Sequence, residues 1–302
     1  MGLFENKQIG VENKDLTSEK TLDYYLKISE GFKSSFKPFD VIEFNGRYII
    51  DESTSCEVGY KARAGEMLIS NLASAGVSEI VYVQPRQGFA GISLAYLCKK
   101  YGMKLTLVMP SSKEVSPHQL LCIELGAKPL FTRVAAMPNA NSLAKKYSKA
   151  TGAYYVPLGL YNEEVIACGV RQVYEFFQDI PKPKEMWSAM STGVLSRTLQ
   201  IALPDTDFVA VAVARNIQQG ELGRARFMSY HKEFSKMSDY IPLEFDTEPK
   251  YDAKAYDYFT QHSSEGAWFF NVAGNAPKPT ISADTIDSYR DWNDLRDFEK
   301  YF

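Results

Sequence analysis

Apolar and polar stretches alternate most regularly through the middle of the chain. "EIVYV" (79–83) reads as a buried strand, "GFAGISLAYLCKKYG" (88–102) as a helix closed by Gly102, and "KLTLVMP" (104–110) as a strand stopped by Pro110. The same unit then recurs. "SPHQLLCIELGA" predicts a helix ending at Gly126, "KPLFT" a strand, "NANSLAKKYSKATG" a helix capped by Gly152, "AYYVP" a strand, and "NEEVIACGVRQVYEFFQD" a long helix. Next come the strand "MWSAM", a turn, the helix "VLSRTLQIAL" and the β-prone "FVAVAVA" (208–214). Strands alternating with helices imply parallel strands joined by right-handed crossovers and covered on both faces. The expected class is α/β with doubly wound parallel sheets, and a ligand should sit at the carboxyl ends of the strands.

Composition agrees with a soluble globular chain. With 302 residues, 45% apolar and 24% charged, it can bury the core of one large domain or of two closely joined ones. No run of about 18 apolar residues is present to span a bilayer. The stretch "MGLFENKQIGVENKDLTSEK" lacks the apolar core of a secretory signal, so the expected location is the cytoplasm, with no membrane partner. Gly2 follows Met1, but Asn6 stands where a myristoylation motif needs Ser or Thr. Cys56, Cys98, Cys122 and Cys168 are widely spaced and form no CxxC pair, so free buried thiols and no metal site are expected.

The net charge of −3 supplies no global attraction for nucleic acid, yet charge is uneven. Residues 215–236 carry Arg215, Arg224, Arg226, Lys232 and Lys236 against Glu221 and Glu233, whereas 281–302 carry six acids against three bases. The turn after strand 79–83, "QPRQGFAGIS", holds Gly88 and Gly91 but no GxGxxG, and no acidic residue ends the next strand to hold a ribose. GxxxxGK[ST], GxSxG and HExxH are all absent, and His118, His231 and His262 have no recognisable triad partners.

Several local patterns, in order, resemble the fold-type II pyridoxal-phosphate enzymes, the group of tryptophan synthase β-subunit, cysteine synthase and threonine dehydratase. They are "GYKARAG" (59–65) opening a helix, a strand with a small-residue turn, "SLAYLCKKYG", "LTLVMP" and "ELGAKPLF", and they cover roughly residues 40–215. The resemblance implies a tryptophan synthase β-like chain of two lobes. Residues 1–79 and 153–302 would form the large cofactor-binding lobe, and 80–152 a small mobile lobe with the cofactor in the crevice. It also implies pyridoxal 5'-phosphate as cofactor and Lys61 as the residue that holds it covalently, Lys61 and Arg63 matching the K-x-R of the family's S-x-K-x-R stretch. A lysine at a helix entrance backed by apolar residues can lose its proton for part of the time, as attack on an aldehyde requires.

"STGVLSR" (191–197) falls where the family's phosphate turn lies, after a strand and at the start of a helix. Ser191, Thr192 and Gly193, with the amides of Val194 and Leu195, would offer hydroxyl and N–H donors where the helix dipole favours an anion. Val194 replaces the family's usual second glycine. The turn expected to read S-S-G-N is Gln84-Pro-Arg-Gln-Gly88, and a gap-free match puts Phe89 at the asparagine. Gln87 is therefore the candidate for the hydrogen bond to the cofactor ring oxygen, and it stands with Arg86 and Arg63 as a substrate-binding candidate. Arg86 could hold a carboxylate or phosphate by a bidentate pair or serve as a solvated loop arginine. The partner of the pyridine nitrogen, often Ser or Thr late in the family's chain, has Asn271 and Asn275 as its nearest polar candidates.

A divergent branch of the group, found mostly in bacteriophage genomes, is similar in its P-x-Q-G turn, "PLGLYNEE", a G-V-L-S/T-R phosphate turn and "YDAKAY" (251–256). Some of its members are associated with hypermodification of thymine in phage DNA. That likeness implies decarboxylation of an aminoacyl, glycyl-type, modified thymidine, with the basic stretch from Arg215 near a nucleotide phosphate or DNA backbone. The substrate would be of amino-acid type, free or attached to a nucleotide, and the assembly a homodimer. β-Elimination or β-replacement on free serine, threonine or cysteine derivatives is the alternative chemistry. A catalytically silent binding protein of the same fold is the alternative class.

Overall fold

A computed structural model of the chain describes residues 21–110, 114–133, 136–214 and 222–286. In chain order the elements are α1 (Leu22–Ile28), β1 (Asp40–Phe44), β2 (Arg47–Asp51), α2 (Glu52–Ser55), α3 (Tyr60–Ser74), β3 (Glu79–Val83), α4 (Ala90–Lys100) and β4 (Lys104–Pro110). They continue with α5 (Pro117–Glu124), β5 (Lys128–Thr132), α6 (Met137–Thr151), β6 (Tyr154–Tyr155), α7 (Glu163–Phe176) and β7 (Glu185–Met190). The last are α8 (Val194–Ala202), β8 (Asp207–Ala212), β9 (Arg226–Ser229), α9 (Asp252–His262) and β10 (Trp268–Asn271).

The chain divides into two units, one drawn from Met1–Ala64 and Glu163–Asn275, the other from Gly65–Asn162 and Ala276–Phe302. Both are built on parallel sheets with helices against them, the class expected from the pattern. The division falls within α3, so Lys61 belongs to the first unit.

The first unit holds a six-stranded sheet ordered β1-β2-β10-β7-β8-β9. Every pair is parallel except β1 with β2, which form an antiparallel hairpin. The hairpin turns through Asn45 and Gly46, both at positive φ (51° and 68°), as a two-residue turn matched to right-handed strand twist requires. Trp187, Ala189, Val209, Val211 and Met228 lie in one buried cluster with Tyr256 and Phe259 of α9. Alternate residues such as Met186, Phe208 and Ala210 are buried as well. A strand buried on both faces reads as an unbroken apolar run, which is why β7 and β8 were visible in the sequence.

The second unit carries a four-stranded parallel sheet ordered β5-β4-β3-β6. Ala140, Ala144 and Tyr147 of α6 pack on Val81, Val83, Val108 and Leu130, with Ala and Tyr recurring at helical spacing along one face. Helix α5 starts at a full capping box, Ser116 with Gln119, and has Pro117 in its first turn. Among the described residues no helix is long and apolar enough to cross a membrane, and no cluster of His, Cys, Asp and Glu could hold a metal ion. All four cysteines are free and buried.

Candidate active site

The carboxyl ends of β2, β10 and β7 lie side by side in the first unit, with Asn271 opposite Asp51 and Phe270 opposite Ser188. Beyond β2 the chain makes the short α2, whose N-cap Asp51 accepts from Ser53 N–H (2.9 Å), then turns through Gly59 (φ 83°) into α3. Tyr60 N–H donates to Val272 O (2.8 Å), which fastens the start of α3 to the end of β10. The Tyr60 ring meets Phe270 edge-on, with centroids 5.3 Å apart.

Lys61 follows directly. It is half-buried, and burial pushes its pKa down to about 8. Among the described residues no charge opposes that shift. Near neutral pH a useful fraction of the amine is therefore unprotonated and nucleophilic.

Arg63, expected at the substrate, is committed elsewhere. Its Nε and Nη2 grip Glu52 at 2.6 and 2.8 Å, Nη1 donates to Lys37 O and Gln172 Oε1, and Nη2 also reaches Ser55 O. Its guanidinium also stacks over Phe39 at 4.5 Å. Every N–H donor of the fork points at protein, so Arg63 anchors the 37–55 segment and α3 rather than a ligand.

The turn after β7 fits an anion. Ser191 and Thr192 are half-buried, and Gly193 sits in the left-handed region (φ 76°) as N-cap of α8. As a glycine, Gly193 offers no side chain to cap this helix. The first intrahelical bond is Arg197 N–H to Gly193 O (2.9 Å), so the amides of Val194, Leu195 and Ser196 have no helical acceptor. Val194 is buried, so its backbone N–H is what it offers at the turn. Uncapped amides at a helix N-terminus, beside two hydroxyls, suit a phosphate group.

Asn271 is buried, and both amide protons of its side chain are spent, on Asp51 Oδ1 (2.9 Å) and Asp246 O (2.9 Å), while its Oδ1 accepts from Thr247 Oγ1 (2.8 Å). It ties three segments together and has no donor left for a ring nitrogen. Asn275 is exposed, and its backbone N–H is held by Asp246 Oδ2 (2.9 Å). Sequence reasoning passed over Asp252, a fully buried carboxyl at the first residue of α9. Its only local signal was an acid at a helix start, which normally marks an exposed dipole partner.

Arg86 and Gln87 belong to the second unit. Their turn is shaped by Gln84, which donates to Gly88 O (3.0 Å) and accepts from Gly91 N–H (2.9 Å). Gly91 has to be glycine, because a Cβ there would meet Gln84 Oε1 at 2.2 Å. Arg86 is exposed, with a long contact to Glu114 O (3.4 Å), and Gln87 Oε1 is buried without a hydrogen-bond partner.

Three of the five bases in the basic stretch are held by protein groups, while Lys236 is exposed. Arg224 donates to Gln200 O, Leu203 O and Thr206 O at the end of α8, Arg226 pairs with Glu185 (2.9 Å), and Lys232 pairs with Asp239. Arg215 and Glu221 lie outside the described residues.

Residues 48–243 match the family model described as pyridoxal-phosphate dependent enzyme. Cysteine synthase A of Escherichia coli K12 and of Salmonella typhi is 35% identical over 94 residues, 30% of this chain; the match spans only 29% of the length of those relatives. Among solved structures, an ACC deaminase homologue is similar at TM-score 0.68 and 17% identity, over 83% of this chain and 95% of that one. Maize serine racemase (0.65, 15%, covering 85% and 94%) and the processed threonine deaminase isoform 2 of Solanum lycopersicum (0.65, 13%, covering 90% and 94%) share the same fold. Parallel sheets in two units, a half-buried lysine opening α3, a helix start with unused amides after β7 and a family match over most of the chain agree: this chain belongs to the pyridoxal-phosphate-dependent enzymes, with the fold-type II architecture.

Proposed function

We propose that the protein is a pyridoxal-phosphate-dependent lyase that breaks a bond at the Cα of an amino acid, with Lys61 as the cofactor-holding residue. The feature that carries this reading is Lys61 at the start of α3, half-buried, its pKa lowered to about 8 by burial and with no ion pair among the described residues. The residues fit the cofactor: Lys61 Nζ would hold its aldehyde, and the turn of Ser191, Thr192, Gly193 and the Val194 and Leu195 amides would hold its phosphate. When bound, that group supplies an electron sink for charge left at Cα. With the cofactor bound, Lys61 Nζ would be the base available to hold and return a proton at Cα.

The finer reading is decarboxylation of an aminoacyl group joined to thymidine. It rests on the likeness of 157–164, 191–197 and 251–256 to the phage branch and requires no second substrate. β-Elimination or β-replacement on free amino acids is the second reading, favoured by the 35% identity to cysteine synthase A over 94 residues.

Borohydride reduction of the loaded protein followed by peptide mapping should mark Lys61. A mark on another lysine, or none, overturns the lysine assignment. The loaded protein is then offered a glycyl-modified thymidine nucleotide and DNA beside free serine, threonine and O-acetylserine, with CO₂, 2-oxo acids and sulfide incorporation followed. Turnover of free amino acids alone rejects the nucleotide reading.

A further inference from the structure

Asp252 is fully buried, yet neither Oδ1 nor Oδ2 meets a hydrogen-bond partner. The Val272 N–H lies beside the carboxyl and eases its charge without forming a full hydrogen bond. The charges acting on it come from Glu248 and Asp51, both acids. Burial first, and those acids after it, push its pKa well above the ordinary carboxylate range, so the carboxyl tends to keep a proton. A first-turn Asp usually faces water and the helix dipole. A carboxyl withdrawn from water with no partner is costly, and such groups cluster where a ligand completes them.

Its position points the same way. Helix α9 packs on β10 and precedes it in the chain, so the N-terminus of α9 lies at the carboxyl end of β10. Val272, the first residue past β10, turns its N–H toward Asp252, while its carbonyl takes the N–H of Tyr60, the residue before Lys61. The cofactor brings three polar features: an aldehyde, a phosphate and a basic ring nitrogen. Lys61 suits the first and the 191–195 turn the second. For the third, Asn271 has no donor left, Asn275 is exposed, and Val272 is apolar.

We propose that Asp252 is the partner of the cofactor's ring nitrogen, placed beside the strand end that also holds the start of α3. The inference rests on the cofactor reading of this site. A carboxyl differs from a neutral hydroxyl at that place: the proton that the carboxyl already holds is shared with the ring nitrogen, so loading needs no extra proton. A ring held protonated withdraws electrons more strongly than a neutral one.

Two measurements need no variant. Pyridoxal phosphate carrying ¹⁵N at the ring should show a proton-bearing nitrogen by NMR in the loaded wild-type protein. The 1-deaza analogue, with CH in place of that nitrogen, should bind about 10- to 100-fold more weakly than the natural cofactor, as loss of a charge-assisted hydrogen bond predicts. In Asp252→Asn the ring nitrogen should lose its proton. In Asp252→Ala the preference over the deaza analogue should fall to near parity, with covalent capture at Lys61 retained. The cofactor-free Asp252→Asn protein should melt no lower than wild type, because an unpartnered buried carboxyl has been removed, whereas a purely structural Asp252 would give a lower melting point. A bare ring nitrogen in the wild type, or no preference over the deaza analogue, overturns the inference while leaving the Lys61 assignment standing. Failure of any covalent capture at Lys61 overturns both.

Discussion

Replacing Arg63 by Met tests whether this residue is an anchor or a ligand. The guanidinium is 2% exposed and its partner Glu52 0% exposed, so the pair sits in the interior with a two-point grip. Arg63→Met keeps the length and apolar stem but removes every donor. Glu52 would keep only the Ser55 hydroxyl (2.7 Å), and Lys37 O and Ser55 O would each lose a donor. Removing one partner of a buried pair typically costs about 3–5 kcal/mol, a large share of the roughly 5–15 kcal/mol that holds a native protein. A melting point lower by about 6–20 °C is expected for a chain of this size.

The pH dependence has a definite sign. Burial raises the Glu52 pKa, and Arg63 is the chief influence pulling it down, so the variant raises it further. A carboxyl raised in the folded state weakens that state as pH rises through the folded pKa, and the weakening vanishes below the unfolded value. The deficit of Arg63→Met should therefore be larger at pH 8 than at pH 5. Adding Glu52→Gln should recover part of it, with a coupling of about 1–3 kcal/mol. Tryptophan fluorescence during urea and thermal unfolding is the assay, because Trp187 and Trp268 both belong to the first unit. A loss under about 0.5 kcal/mol, the scatter of independent sites, or zero coupling with Glu52, would refute the anchor. A raised substrate KM at unchanged stability would make Arg63 a ligand instead.

Capture of pyridoxal phosphate by the cofactor-free protein should accelerate with pH to a midpoint near 8, the pKa at which burial holds Lys61, rather than near the ordinary lysine value of 10.5; stopped-flow absorbance would read it. Lys61→Ala should abolish covalent capture, with the far-ultraviolet spectrum unchanged. Gly169→Ala places a Cβ 2.2 Å from the Tyr60 hydroxyl and 2.9 Å from Thr198 Cγ2, so urea unfolding should show a loss of about 1–3 kcal/mol, with slower capture at the neighbouring Lys61. Gly193→Ala forces a side chain into φ 76° at the start of α8, and about 1–2 kcal/mol of strain should appear together with weaker cofactor binding in an equilibrium titration.

Much of the framework was legible from local pattern. Strands β3, β4 and β5 span 79–83, 104–110 and 128–132, the ranges read from the sequence, because strands covered on both faces appear as unbroken apolar runs between turn residues. The hairpin β1–β2 was overlooked although Asn45-Gly46 carries its signal, and the four-residue β10 is too short to stand out. Lys61 and the 191–195 turn stand out as candidates because their chemistry is written in a few consecutive residues: an amine at a helix mouth, and hydroxyls with a glycine before a helix.

The hydrogen-bonding state of Arg63, Asn271 and Asp252 was decided only in three dimensions. A lone arginine or asparagine in the sequence says nothing about how many of its donors are already used. That count depended on Glu52 and Lys37 for Arg63, and for Asn271 on Asp51, 220 positions away. Asp252 is the extreme case, since what marks it is a lack of hydrogen-bonding partners in a buried place. The sequence by itself determined which elements form and where an amine at a helix mouth and a hydroxyl-and-glycine turn before a helix stand. Tertiary packing determined which polar groups were already satisfied, because hydrogen-bond saturation and desolvation are properties of an environment assembled from distant segments.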